Sequence, residues 1–99
     1  MDFNLKELVD QLVKMKGIKR ELIVDILKEA LYQAVKKKLG SDADIDIMFD
    51  DATGELQAFY FREVVEGEGD PQLDINIEEA RKLDPEVQIA DTLGVKMEA

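Results

Sequence analysis

At Gly40-Ser41 the hydrophobic period of this chain changes from 3.6 residues to 2. A segment patterned for one face of a helix cannot present a two-residue alternation to the same core, so the change divides the 99 residues into a helical portion and a strand-rich portion. Helices grouped first and strands grouped after them indicate an α+β fold. A chain of this length makes one domain, residues 1–99, and buries about two-thirds of its extended surface, enough for a single modest core. With 45% hydrophobic residues and two prolines it folds despite a net charge of −10, and that charge opposes self-association and predicts a monomer.

In the helical portion, Leu5, Leu8, Val9, Leu12 and Val13 recur at the spacing of one helical face, and Asn4 with Glu7 has the form of a capping box. Gly17 suits the left-handed position after that helix, while Lys14 and Lys16 complement its dipole. A second helix begins near Arg20 and is closed by Gly40, with an expected buried seam of Ile23, Ile26, Leu27, Ala30, Leu31, Ala34, Val35 and Leu39. The short connection between the two predicts a helical hairpin.

Beyond Ser41, Ile45, Ile47 and Phe49 alternate with Asp44, Asp46 and Met48, as in a strand with one buried face and one carboxylate-bearing face. The turn DDATGE and the run Leu56 to Val65 complete a β-hairpin. The polar loop Glu66 to Pro71 leads to a short strand through Leu73, Ile75 and Ile77. Asn76 with Glu79 predicts a second capping box, opening a short helix that must stop before Pro85. Val87 and Ile89 read as a brief extended piece, and Leu93, Val95 and Met97 as a strand still under way at Ala99, as in a fragment of a longer chain. The expected architecture is a helical hairpin packed on a small, mostly antiparallel β-sheet, with a short additional helix.

Enzymatic function classes are excluded by residue type. Histidine and cysteine are absent, and the single serine, Ser41, has no base to activate it, so neither a nucleophile–base pair nor a thiolate or imidazole metal site can be assembled. Asp42, Asp44 and Asp46 imitate the start of a calcium loop, yet Ile47 stands where its glycine is required and Thr53 where its bidentate glutamate is required. Asp51-Ala52-Thr53-Gly54 is accounted for by turn formation. No catalytic residue, cofactor or metal is therefore expected. No apolar run approaches the roughly 18 residues of a membrane span, and with no cysteine the chain reads as cytoplasmic.

Charge is polarised along the chain. Residues 1–40 carry nine Lys/Arg against six Asp/Glu, and residues 41–99 carry four against seventeen, balances of +3 and −13. The cations concentrate in Lys36-Lys37-Lys38 and in the cluster Lys14, Lys16, Lys19 and Arg20. Cations at helix ends compensate the dipole, but three lysines in succession exceed that need and point about 100° apart, which presents some of them to a partner. Phe59 and Phe61 face one side of their strand and Tyr60 the other. Packing of one face in the core against the helix pair is one reading, and a hydrophobic surface for a partner, marked by apolar residues left over once the core is filled, is the other. Met48 fills a gap or makes an exposed contact.

Taken in order, GIKRELIVDILKEALYQAVKKKLG, Asp51-Ala52-Thr53-Gly54-Glu55-Leu56, Val64-Val65-Glu66, Asp70-Pro71, Ile75-Asn76-Ile77-Glu78-Glu79-Ala80-Arg81, Asp84-Pro85 and Ala90-Asp91 resemble the N-terminal domain of the bacterial transcription elongation, termination and antitermination factor NusA. The chain departs from that pattern at Tyr60-Phe61-Arg62-Glu63, where the family has an arginine-rich strand end and only Arg62 remains, and at Ala90-Asp91, where the family has Gly-Asp. The family's OB-fold and KH domains are not in this sequence. The resemblance implies a non-enzymatic module that docks on RNA polymerase near the RNA exit channel, at the β-subunit flap, and modulates pausing and hairpin formation. It implies Lys36, Lys37 and Lys38, which match the family's lysine run, with Arg62, as candidate contacts to polymerase or a weakly bound nascent RNA hairpin. The cluster Lys14, Lys16, Lys19 and Arg20, read from the residues alone, stands behind them, and neither DNA nor membrane is expected as a partner. The alternative is an acidic adaptor whose −13 half binds a basic protein or mimics nucleic acid, the lysines serving only as helix caps.

Overall fold

The computed structural model describes residues 2–4 and 6–97, in the order β1 (Asp2–Asn4), α1 (Lys6–Lys16), α2 (Arg20–Leu39), β2 (Asp44–Asp50), β3 (Glu55–Val65), β4 (Asp74–Asn76), α3 (Ile77–Leu83) and β5 (Thr92–Lys96). The α+β architecture expected from the change of period is observed, and the change falls at the α2–β2 junction.

Strand β3 is the axis of the sheet. It pairs antiparallel with β1, β2 and β5 and parallel with β4. Glu63 meets Asp74 of β4 and Thr92 of β5, and Gln57 meets Asp2 of β1 and Met48 of β2. One edge of β3 is therefore occupied by β2 and then β4, the other by β1 and then β5. The glycine turn expected between β2 and β3 is present, with the Gly54 N–H donating to the Asp50 carbonyl at 2.7 Å.

Two hydrophobic clusters lie along the same face of β3. Leu31 and Val35 of α2 pack with Ala43, Ile45 and Ile47 and with Leu56 and Ala58 of β3, with Tyr60 and Met97 beside them. Farther along, Val64 packs with Ile75, Ala80 of α3, Val87 and Leu93. The single core expected from chain length is replaced by two because the molecule is elongated, 54 × 25 × 20 Å, and each end of β3 collects its own cover.

The seam of α2 is narrower than the sequence suggests. Ile23, Leu31 and Val35 are buried and Leu27 and Leu39 half-buried, whereas Ile26 is 60% exposed and Ala30 and Ala34 face solvent. A helix lying on a narrow sheet needs one row of residues four apart, and α1, at 11 residues about 16 Å long, is too short to cover the second row of a helix about 30 Å long. In α1 only Val9 is buried; Leu12 and Val13 are partly covered and Leu8 is exposed. The proposed first residue of that stripe, Leu5, lies outside the described residues.

Other expectations are corrected locally. Asn4 lies in β1, opposite Glu55, because the free edge of β3 at Glu55 to Gln57 takes up residues 2–4 as a strand; the side chain on which the expected capping box with Glu7 rests lies outside what is described. Asn76 does cap α3, its side-chain oxygen accepting from the Glu78 N–H at 2.8 Å, but Glu79 pairs with Lys82 at 3.0 Å and not with the cap. Val87 and Ile89 form no strand; Val87 turns into the second cluster while Ile89 is exposed. Gly17 takes the expected left-handed conformation, φ +64°, with its N–H on the Val13 carbonyl at 3.1 Å.

Ala90 is the one non-glycine residue with positive φ among the described residues, at +76°. Its N–H donates to the Val64 carbonyl at 2.8 Å, and the next carbonyl, Asp91, accepts from the Val64 N–H at 2.8 Å, so pairing with β3 holds it there. This is the position where the resembling pattern has glycine.

Chemical unfolding tests both features. Leu31→Ala should lower stability by about 2–5 kcal/mol while Ile26→Ala changes it by less than about 0.5 kcal/mol, which separates the observed seam from the broader one. Ala90→Gly should raise stability by about 0.5–1 kcal/mol, because relief of a left-handed strain of about 1–2 kcal/mol exceeds the added chain entropy of glycine.

Candidate interaction surfaces

The cations singled out in the sequence occupy three separate places. Lys36, Lys37 and Lys38 lie in the last turn of α2, and Lys14, Lys16, Lys19 and Arg20 lie around the α1–α2 connection at its other end. The 20-residue helix separates those two groups by about 30 Å. Arg62 is on β3, beside α3.

The three consecutive lysines are not equivalent. Lys36 turns back along the chain: its Nζ donates to the Ala43 carbonyl and to the Ser41 carbonyl at 3.3 Å, and stands 5.5 Å from the Tyr32 ring centroid. It thereby ties the end of α2 to the start of β2 and satisfies carbonyls of the connecting loop. Lys37 and Lys38 are exposed and extend the cationic end of the helix into solvent.

Arg20 is likewise engaged. Its guanidinium donates to Asp10 of α1 at 2.5 Å and to Asp51 of the β2–β3 turn at 3.3 Å, and lies 5.8 Å from the Phe49 ring centroid. The hydrogen bond to Asp10 raises its pKa against the opposing effect of desolvation, and the hydrogen bond to Asp51 adds to the rise. One side chain thus joins α1, α2 and the hairpin turn, on the wall of an open, charged cleft of about 690 Å³ that also contains Glu21, Asp25 and Lys28. Lys14, Lys16 and Lys19 remain exposed.

Arg62 stacks on Tyr60, its guanidinium carbon 4.7 Å from the ring centroid, and the Tyr60 hydroxyl donates to the Gln72 carbonyl. The Arg62 Nε is buried without a hydrogen-bond partner. The same residue borders a shallow cleft with Asp74, Asn76, Glu79 and Lys82, so carboxylates stand around it. Its surroundings are more complementary to a mixed polar surface than to a polyanion.

The aromatic triplet divides as the alternation requires. Tyr60 packs against the first cluster, and Phe59 and Phe61 are half-buried on the opposite face of the sheet. Met48, 51% exposed, is on that same opposite face. Missed in the sequence were the structural employment of Lys36 and of Arg20. Asp10 and Asp51 are 10 and 31 residues from Arg20, separations at which no helix or turn rule couples side chains. Among the described residues no helix is long and apolar enough to cross a membrane, and no three acidic residues converge as a metal site would require.

Comparison with known proteins places this geometry. The family profile of the NusA N-terminal domain matches residues 4–99. The transcription termination/antitermination protein NusA of Bacillus subtilis is 31% identical over 94 residues, covering 92% of this chain and 25% of the relative. That of Thermus thermophilus is 30% identical over 103 residues, covering 94% and 27%, and that of Rickettsia conorii 30% identical over 87 residues, covering 88% and 17%. This chain thus spans about a quarter or less of the length of these relatives. The solution structure of the N-terminal domain of NusA from Bacillus subtilis superposes with a TM-score of 0.68 at 28% identity, covering 96% of this chain and 77% of the other. With the order of elements, the sequence profile and the three-dimensional likeness in agreement across nearly its whole length, this chain belongs to the NusA N-terminal domain family.

Proposed function

We propose that the chain is the RNA polymerase-docking module of a transcription elongation, termination and antitermination factor. It acts in the bacterial cytoplasm near the RNA exit channel, at the β-subunit flap, where it modulates pausing and the formation of nascent-RNA hairpins. It works by binding and positioning, not by catalysis. The observation that carries this reading is the division of labour among the three lysines: Lys36 is consumed in closing α2, while Lys37 and Lys38 are exposed beyond it. A hairpin stem concentrates phosphates, and each lysine that neutralises one releases a counterion, so two cations at a helix end suit the flank of an RNA exit path. Arg62, surrounded by carboxylates, and the Lys14 to Arg20 cluster, whose arginine is committed to Asp10 and Asp51, are secondary contacts in this reading.

Core RNA polymerase and the isolated β flap should each retain the domain in a pull-down; retention by the α subunit alone would overturn the flap assignment. Lys37→Gln with Lys38→Gln should reduce enhancement of a hairpin-stabilised pause and flatten its dependence on log salt by about one unit for each phosphate no longer neutralised. The same pair should cost less than about 1 kcal/mol of stability, a dipole contribution only. Lys36→Gln should show the reverse pattern, a loss of about 1–2 kcal/mol in unfolding with pausing retained below the melting temperature. Unchanged pausing and salt slope in the double variant would reduce all three lysines to helix caps.

A further inference from the structure

The sheet has a second face that none of the helices covers. Directly opposed residues of an antiparallel pair project to the same side. The pairings of Asp44 with Phe61, Asp46 with Phe59, Met48 with Gln57 and Asp50 with Glu55 therefore gather these side chains on one face. β5 contributes Lys96 beside Phe59, Gly94 beside Phe61 and Thr92 beside Glu63. No residue of this face belongs to either hydrophobic cluster.

Its centre is apolar and shaped. The half-buried rings of Phe59 and Phe61 adjoin Met48, which is 51% exposed. Phe61 lies over the neighbouring strand because that strand has a glycine there: a Cβ on Gly94 would collide with the edge of the ring at Cε1 and Cδ1. The rim is acidic. Asp44, Asp46, Asp50, Glu55 and Glu63 stand on this face against the single lysine of its described strand positions, Lys96, which is itself 4.0 Å from a Glu55 oxygen.

Aromatic rings on an open sheet are a stacking platform for single-stranded nucleic acid when cations accompany them. Here carboxylates surround the rings and repel a phosphate chain. The complementary occupant is cationic: a guanidinium can stack over a phenyl ring while its fork meets neighbouring carboxylates, and an apolar side chain covers Met48. We propose that the open face of β2, β3 and β5 is a docking surface for an arginine-bearing amphipathic segment of a partner protein. It lies across the sheet from α2, so its occupancy is separable from the lysine contact proposed above.

A short amphipathic peptide of arginine and leucine is the probe, titrated against the labelled domain with backbone amide shifts as readout. Shifts should centre on β2, β3 and β5. Asp44→Lys with Asp46→Lys should weaken binding by about tenfold or more, whereas Glu66→Lys with Glu68→Lys, an equal change of charge on an exposed loop, should alter it by less than about twofold. Met48→Lys, also on an exposed side chain, should weaken it by about threefold, and a retained melting temperature verifies that each variant is folded. Equal losses in the two double variants, shifts centred elsewhere, absence of binding at millimolar peptide, or oligouridine shifting the same amides would each overturn the proposal.

Discussion

Hydrogen bonding of β3 on both of its edges is the constraint on which the rest of the structure depends. An 11-residue strand extends about 36 Å, longer than any of its four partners, so each edge has room for two short strands placed end to end. β2 and β4 occupy one edge and β1 and β5 the other. The one-sided burial at Leu56, Ala58 and Val64 then decides where helices can sit: α2 covers the first part and α3 the last. The elongated shape, the two clusters and the uncovered opposite face all follow from that single strand.

Electrostatics completes what packing leaves loose. α1 buries only Val9 fully, and Arg20 adds a polar connection from α2 to α1 through Asp10 and to the hairpin turn through Asp51. At the other end of α2, Lys36 joins the helix to the loop entering β2. In each cationic cluster, structure therefore claims one member and exposes its neighbours. The surplus of negative charge is carried partly by the open face of the sheet, which distinguishes that face chemically from the lysine-bearing end of α2. The domain thus carries two surfaces of opposite sign, the lysine-bearing end of α2 and the acidic open face of the sheet.

At Ala90 the backbone conformation is set by pairing with β3 and not by side-chain preference. Two hydrogen bonds with Val64, one from the Ala90 N–H and one to the Asp91 carbonyl, hold the chain in the left-handed region, and alanine adopts it there at an energetic cost because both bonds tie this segment to β3.

Periodicity is a local property, and what depends on it was determined by the sequence alone: the α+β class, the extents of α2, β2, β3 and α3, the left-handed Gly17, the hairpin turn and the separation of Phe59 and Phe61 from Tyr60. The absence of histidine and cysteine likewise narrowed the function classes without any structure, and the ordered resemblance across the chain supplied the family. What spans distant segments was decided only in three dimensions. The strand character of residues 2–4 depends on a vacant stretch of edge at Glu55 to Gln57, the exposure of Ile26, Ala30 and Ala34 on the width of the sheet beneath α2, and the engagement of Arg20 on carboxylates brought from two other elements. Three adjacent lysines read alike as sequence; Lys36 parts from Lys37 and Lys38 because the chain after Gly40 returns its Ser41 and Ala43 carbonyls to within reach of one ammonium group, and a helix presents successive side chains in different directions.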